Sequence, residues 1–183
     1  DPFMQSKQSD YFENSRRATQ LQREYATRNP MQFTGYCEEC WGFTASDGPG
    51  WITCTIDGVE RRFYDYISRG VPYGPDDGTI APWAVVASLP FAPDIVLPAI
   101  AHFDQLKLID PNPYGFKTAF NQTFPSKNAD SVGWVSAGHC GINQGPIVLM
   151  IENHRTELVW NLMRKCPYVV AGLRRAKFTG GWL

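Results

Sequence analysis

No run of about 18 consecutive apolar residues occurs in this chain, so the sequence holds no candidate membrane-spanning helix. An excess of one charge is also missing: 17 Lys and Arg stand against 18 Asp and Glu, a net charge of −1. That balance gives no electrostatic footprint for nucleic acid or an anionic membrane. The first residues, DPFMQSKQSD, lack the charged-then-apolar layout of a secretory signal. They read as a fragment boundary and do not reveal the compartment. An even cysteine set is absent too. Cys37, Cys40, Cys54, Cys140 and Cys166 are five, which argues against a complete disulfide framework. A zinc site needs four ligands, yet Cys37-x-x-Cys40 has no second C-x-x-C and no H-x3-H partner. A site completed only on folding, a redox pair and ordinary small buried cysteines are all open for it, the last being the commonest outcome.

Aromatic residues, by contrast, are plentiful: six Trp, eight Tyr and eleven Phe in 183 residues. Some must build the core, because large aromatics carry much of core burial. Others sit in loops with Gly, Asp and Asn, where they can form sugar-stacking surfaces. Asp10 and Glu13 resemble a capping box, and the pattern after them predicts an amphipathic helix over 10–28, stopped at Pro30. WITCTIDGVERRFYDY alternates around Asp57-Gly58 and predicts a hairpin, Trp51–Ile56 with Val59–Tyr64. Helices are expected over Pro82–Leu89, from Pro93 with a kink at Pro98, from about Gln144, and from Pro167 to about Phe178. Between them lie a Gly/Pro/Asp loop over 68–81, the DPNPYG loop, a short segment Phe116–Asn121 and a polar, Gly-rich stretch over 122–143.

A faint internal repeat links these segments. WGFTASDG at 41–48 is echoed by YGFKTAFN at 114–121, and APDIV near Pro93 by CPYVV near Pro167. GTIAPWAVV loosely parallels INQGPIVLM. Each unit pairs an apolar helix with an amphipathic one. Repeated helix pairs of this length imply a helical solenoid or toroid, apolar helices inside and amphipathic ones outside.

YFENSRRAT, GYCEECWGFTASDGP, DGTIAP with ASLPFAP, NPYGFKTAFN and WVSAGHCGINQGPIVLMIENHRT together resemble the bacterial glucoamylase-like family of glycoside hydrolases, which includes endo-β-1,2-glucanases. The resemblance runs over about residues 10–178. It implies a mainly α fold, part of an (α/α)6 toroid with a central sugar cleft at one end of the inner helices. The hairpin near 51–64 would be a small β insertion. Six helical hairpins at about 70 residues each would need over roughly 400 residues. The chain therefore reads as a single domain or fragment over 1–183, the C-terminal half of the ring. The other half, or a second chain, would complete the cleft and supply a further carboxylate. The resemblance favours an exported or periplasmic location and implies no metal or cofactor. Two departures stand out. Cys37 and Cys40 look peculiar to this sequence, and Asn143 stands where an aspartate is expected in active members.

Glycoside hydrolysis needs two carboxyl groups, one to protonate the leaving oxygen and one to act as nucleophile or activate water. The catalytic candidates are Asp47, Glu38, Glu39 and Glu152. Glu38 and Glu39 precede Trp41 in an expected loop-to-helix turn, where a carboxylate also serves a helix N-terminus. Asp47 ends an expected short helical segment before a Gly turn. Asp-Gly is ordinary turn chemistry, but Trp41 and Trp51 flank it. Glu152 has Arg155 three residues on, and a buried Glu–Arg pair is more often structural than catalytic. The sugar-binding candidates are Trp41, Trp51, Asp76, Asp77, Trp83, Asn143 and Gln144. Asp76 and Asp77 precede an inner helix and could cap it or meet ligand hydroxyls. Trp83 could border the cleft or pack in the core. The amides of Asn143 and Gln144 donate and accept at once, as sugar hydroxyls require, although Asn143 could equally cap its helix. His139 and His154 are weaker candidates. The expected function is hydrolysis of a β-linked glucan or oligosaccharide, incomplete in this chain alone. The rival is a carbohydrate-binding or structural domain that keeps the fold without catalysis.

Overall fold

A computed structural model describes residues 6–7, 9–109, 113–126, 132–181 and 183. The first five residues and part of the DPNPYG loop lie outside the described residues, as does part of the 122–143 stretch. The described residues are mainly helical, with small antiparallel sheets. Helix α1 spans Tyr11–Arg28. Its N-cap is Asp10, whose Oδ1 accepts the Glu13 N–H at 2.9 Å. Arg16 and Arg17 donate to the Glu13 carboxylate and lower its pKa to about 2. The helix ends one residue before Pro30, at Asn29 in the left-handed conformation.

The expected helix over the Trp41–Asp47 region does not form. Gly42 turns the chain at φ +132°, and β1 (Ala45–Ser46) follows instead. The hairpin forms as β2 (Ile52–Ile56) and β3 (Val59–Phe63), in the register that sets Ile56 opposite Val59. Asp57 and Gly58 both take positive φ there, as a two-residue turn of this kind demands. β4 (Ile67–Ser68) pairs with β1. β5 (Thr79–Ile80), β6 (Phe120–Asn121) and β7 (Trp134–Val135) form a three-stranded antiparallel sheet in chain order.

Helix α2 spans Pro82–Ala87 and α3 spans Pro93–Gln105, each with proline in its first turn. α3 carries Pro98 within its span. Helix α4 spans Gly141–Thr156, beginning three residues before the expected start at Gln144. Gly141 to Asn143, read from the sequence as the end of the Gly-rich stretch, form its first turn, and Gly145 and Pro146 lie inside it. The parallel with Pro82 is therefore loose: Pro82 opens α2, whereas Pro146 is the sixth residue of α4. Glu157 takes φ 55° and ends α4, so α5 (Leu158–Arg164) becomes a separate helix that the sequence did not announce. α6 spans Pro167–Arg175.

The core lies among α1, the 33–43 loop, α2, α3 and β6. Trp41, Val85, Val96, Phe103, Leu108 and Phe120 are all essentially inaccessible. Aromatic edges knit it together: Phe103 meets Phe116 and Phe120 at 5.9 Å, and Tyr36 meets Phe43 at 5.3 Å.

Candidate functional site

One concavity gathers residues from four separate parts of the chain. Its volume is about 250 Å³, and it is lined by Thr44, Ala45, Ser46, Asp47, Tyr66, Trp83, Cys140, Ile142 and Asn143. The wall at 44–47 is β1 and its flanks, Trp83 comes from the first turn of α2, and Ile142 and Asn143 come from the first turn of α4. Three of the sequence candidates, Asp47, Trp83 and Asn143, thus converge. Among the described residues, the Asp47 carboxylate and the Asn143 amide make no hydrogen bond within the protein, which leaves both available to a ligand. The Asn143 side chain does not cap α4, since the N-cap is Cys140 with no side-chain bond. The Trp83 Nε1 has no partner either.

What holds this wall in place is Arg69, which the sequence reading missed. Its guanidinium is buried and forms a two-point pair with Asp77, Nε to Oδ1 and Nη2 to Oδ2, each at 2.8 Å. Nη1 donates to the Ser46 carbonyl at 2.6 Å and reaches the Asp47 carbonyl at 3.5 Å. Nη2 also donates to the carbonyls of Tyr64 and Asp65. One cation therefore ties the cavity wall to the hairpin's end. A Cβ at Gly48 would collide with Arg69 Nη2 and the Tyr64 carbonyl, so only glycine admits the cation this closely. The available signal was an arginine at the start of the Gly/Pro/Asp loop that carries Asp77 eight positions on, but nothing in the sequence specified the fold-back that pairs the two.

The remaining candidates sit elsewhere. Asp77 is fully buried and also accepts the N–H groups of Tyr64 and Thr79, at 3.0 and 3.1 Å. Its carboxylate is committed inward. Asp76 accepts the hydroxyls of Tyr36 at 2.6 Å and Tyr25 at 2.9 Å, and the Gly78 N–H at 3.1 Å. Burial raises the Asp76 pKa, against the lowering effect of those three bonds. Burial, then Asp76, pushes the Tyr25 hydroxyl up to about 12 and raises the Tyr36 hydroxyl as well. Neither aspartate caps α2, whose N-cap is Ala81.

Glu38 pairs with Arg23 of α1 at 2.7 Å, and Glu39 lies 4.0 Å from His102 Nδ1 of α3. They occupy a turn closed by an antiparallel bridge between Cys37 and Cys40, and no helix follows them. Trp41 is a core residue, 1% exposed. Trp51 is 65% exposed on the hairpin, against the Tyr64 edge at 5.5 Å. Gln144 is half-buried near Gly115. Glu152 is not buried with Arg155 as its spacing suggested. The two lie 3.7 Å apart and partly open to solvent, with the Thr156 hydroxyl donating to Glu152 at 2.8 Å. Ile147, Met150 and Ile151 beside it on α4 are half-buried, as is Glu152 itself. His139 is half-buried and its ring lies 5.8 Å from that of Tyr114, while His154 is exposed. A second concavity of about 380 Å³ borders Ser9, Asp10, Tyr11, Glu13, Asn14 and Arg17, with none of the candidates in its lining. Among the described residues, no group of three or more His, Cys, Asp or Glu is placed to hold a metal ion. No helix among them is long and apolar enough to cross a membrane.

Residues 1–167 match the family model described as "Glycoamylase: Putative glucoamylase". Over 170 residues the chain is 34% identical to an exo β-1,2-glucooligosaccharide sophorohydrolase (non-reducing end) of Parabacteroides distasonis, covering 92% of this chain and 20% of that protein. An endo-β-1,2-glucanase from Chitinophaga pinensis, solved with sophorotriose and glucose, is 32% identical with a TM-score of 0.73, covering 96% of this chain and 37% of that one. A "putative glucoamylase" from Bacteroides uniformis is 38% identical with a TM-score of 0.70, covering 90% and 34%. The chain thus spans between 20% and 37% of the length of these relatives.

Proposed function

Since the chain belongs to the glucoamylase-like family, we propose that it is the C-terminal part of an (α/α) toroid in a glycoside hydrolase acting on a β-linked glucan. The 1,2-linkage named for two of its relatives is the first to test. The observation that carries this reading is the cavity where Asp47, Trp83 and Asn143 meet from three separate segments. In it an unpaired carboxylate, an indole wall and a free amide stand together, the three groups that a sugar ring with its hydroxyls can use. Asp47 takes the acid or base role. Asn143 accepts from and donates to ring hydroxyls, and Trp83 supplies the apolar face. Glu38 and Glu152 pair with Arg23 and Arg155, Glu39 lies beside His102, and none of the three lines the cavity, so no role in the reaction is assigned to them.

Hydrolysis takes two carboxyls, and Asp47 is the one carboxylate among the residues lining this cavity. The second comes from the remainder of the ring. Exposed apolar residues on α4 and α5, among them Ile142, Val148, Trp160 and Leu162, support a partner against that side. The test is reducing-end release from a panel of β-glucans by the full-length parent. Release, lost by about 10²- to 10⁴-fold in Asp47→Asn, is the expected result; a folded parent that releases nothing from any of them overturns the hydrolase reading. The isolated 183-residue chain is expected to release little or nothing. The lone carboxylate also favours a second reading, a carbohydrate-binding domain without catalysis. A parent that binds the glucan, with Asn143→Ala weakening binding, and hydrolyses nothing would establish it.

A further inference from the structure

Cys37 and Cys40 face each other across an isolated antiparallel bridge. Each backbone N–H donates to the other's carbonyl, Cys37 to Cys40 at 3.4 Å and Cys40 to Cys37 at 3.2 Å. Two residues that exchange both bonds in this way have Cα atoms about 5.5 Å apart. That lies within the roughly 4.4–6.8 Å that a disulfide spans. Directly opposed residues project their side chains to the same face. Both thiols are free, and their access differs: Cys37 is half-buried, Cys40 fully buried. Burial, and then the adjacent Cys37, pushes the Cys40 thiol up.

We propose that Cys37 and Cys40 form a dithiol–disulfide site that exchanges with low-molecular-weight disulfides, Cys37 as the entry thiol and Cys40 as the resolving one. The Cys37 thiolate attacks one sulfur of the incoming disulfide, releases one thiolate and keeps the other half as a mixed disulfide. Cys40 then attacks the Cys37 sulfur and displaces the second thiolate, its proton passing to that leaving group. Two cysteines are oxidised, one external disulfide is reduced to two thiols, and the two protons lost by the cysteines end on the released thiolates. The new bond closes a turn that backbone hydrogen bonds already close, so it removes little chain entropy. It suits a reversible redox site more than a structural staple. The turn residues it encloses are Glu38 and Glu39, held by Arg23 of α1 and near His102 of α3. The turn lies outside the cavity lining, and the proposal does not rest on the glucan reading.

The test treats the whole chain, carrying Cys54→Ser so that one proteolytic peptide holds only this pair, with oxidised glutathione. The protein is then unfolded, alkylated and mapped without reduction. The expected result is loss of both thiols in the peptide, no retained glutathione, and recovery of both on adding reduced glutathione. Cys40→Ser should accumulate glutathione on Cys37, and Cys37→Ser should leave Cys40 reduced. Should Cys40→Ser fail to fold by circular dichroism, the mapping of the parent and of Cys37→Ser decides alone. Glutathione retained on Cys37 with Cys40 still alkylated, or two unreacted thiols, overturns the proposal.

Discussion

The chain up to β6 and the helices after residue 140 are built on the same kinds of residue and end in different states. Every hydrophobic residue of the buried core falls between Tyr25 and Phe120. From α4 to α6, no hydrophobic residue is fully buried among the described residues; the buried one there is Asn153. Yet α4 is apolar on most sides, with Ile142, Ile147, Val148, Leu149, Met150 and Ile151 in one helix. α1, at the other extreme, puts Tyr25, Ala26 and Thr19 inward and its charges outward. A helix with one apolar stripe is satisfied by one neighbour, whereas a helix apolar all round needs neighbours on several sides. α4 packs on α2 and meets α5, which leaves Val148 and Leu149 open. Relatives with about three to five times the sequence, judged by the 37% and 20% of them that this chain covers, are where such neighbours are expected.

The contrast can be broken most severely from inside the first region. Asp77→Ala strands the Arg69 guanidinium in a buried site and removes the acceptor for Tyr64 and Thr79, so it should cost about 3–5 kcal/mol of unfolding free energy. Urea unfolding of the variant measures it; a loss below about 1 kcal/mol would mean that the pair does not organise this wall. Gly48→Ala, next in size, forces a methyl into Arg69 and should cost about 1–3 kcal/mol in the same measurement. A third effect is one of pH. The buried Asp76 carboxyl has a pKa raised above 3.8, so the unfolded chain ionises it first. Its contribution to stability is greatest below 3.8, falls as pH rises toward the folded-state pKa, and is level above it. Asp76→Asn keeps an acceptor for Tyr36 and Gly78 and removes that fall, so the urea midpoint of the variant should gain on the parent between about pH 4 and pH 7. Parallel pH profiles for the two would contradict this. The smallest change belongs to the second region: Leu162→Ser on exposed α5 should move the stability of the isolated chain by no more than about 0.5 kcal/mol. A substantial loss there would show that α5 packs more closely than its exposure indicates.

Much of the fold was legible. Asp10 with Glu13, the Asp57-Gly58 turn, and the prolines opening α2, α3 and α6 are local chemistry, acting through neighbouring backbone, and each element they announced is present. What failed was also local in origin. The stretch up to Asn143 was read as loop, but α4 already begins at Gly141, behind an N-cap, Cys140, that makes no side-chain bond and so leaves no local marker. Glu157 is not a residue type that advertises the left-handed conformation, so the α4–α5 boundary was silent. At the site, Asp47, Trp83 and Asn143 stood out singly as residue types in loops and helix starts, and their meeting in one cavity followed from contacts some 36 and 60 positions apart that no local pattern encodes.

Residue order alone thus sufficed for the helix starts, the hairpin register and the family, because these rest on backbone preferences within a few residues and on long ordered motifs. Which carboxylates are spent and which are free was settled by packing. Asp77 and Asp76, adjacent in the chain and chemically identical, point into a guanidinium and into two tyrosine hydroxyls. Asp47, in an Asp-Gly pair that reads as ordinary turn chemistry but directly follows β1, is left unpaired beside Trp83 and Asn143. The reason is that a carboxylate's role depends on which donors lie within about 3 Å of it, and here those donors are brought from other parts of the chain by the fold.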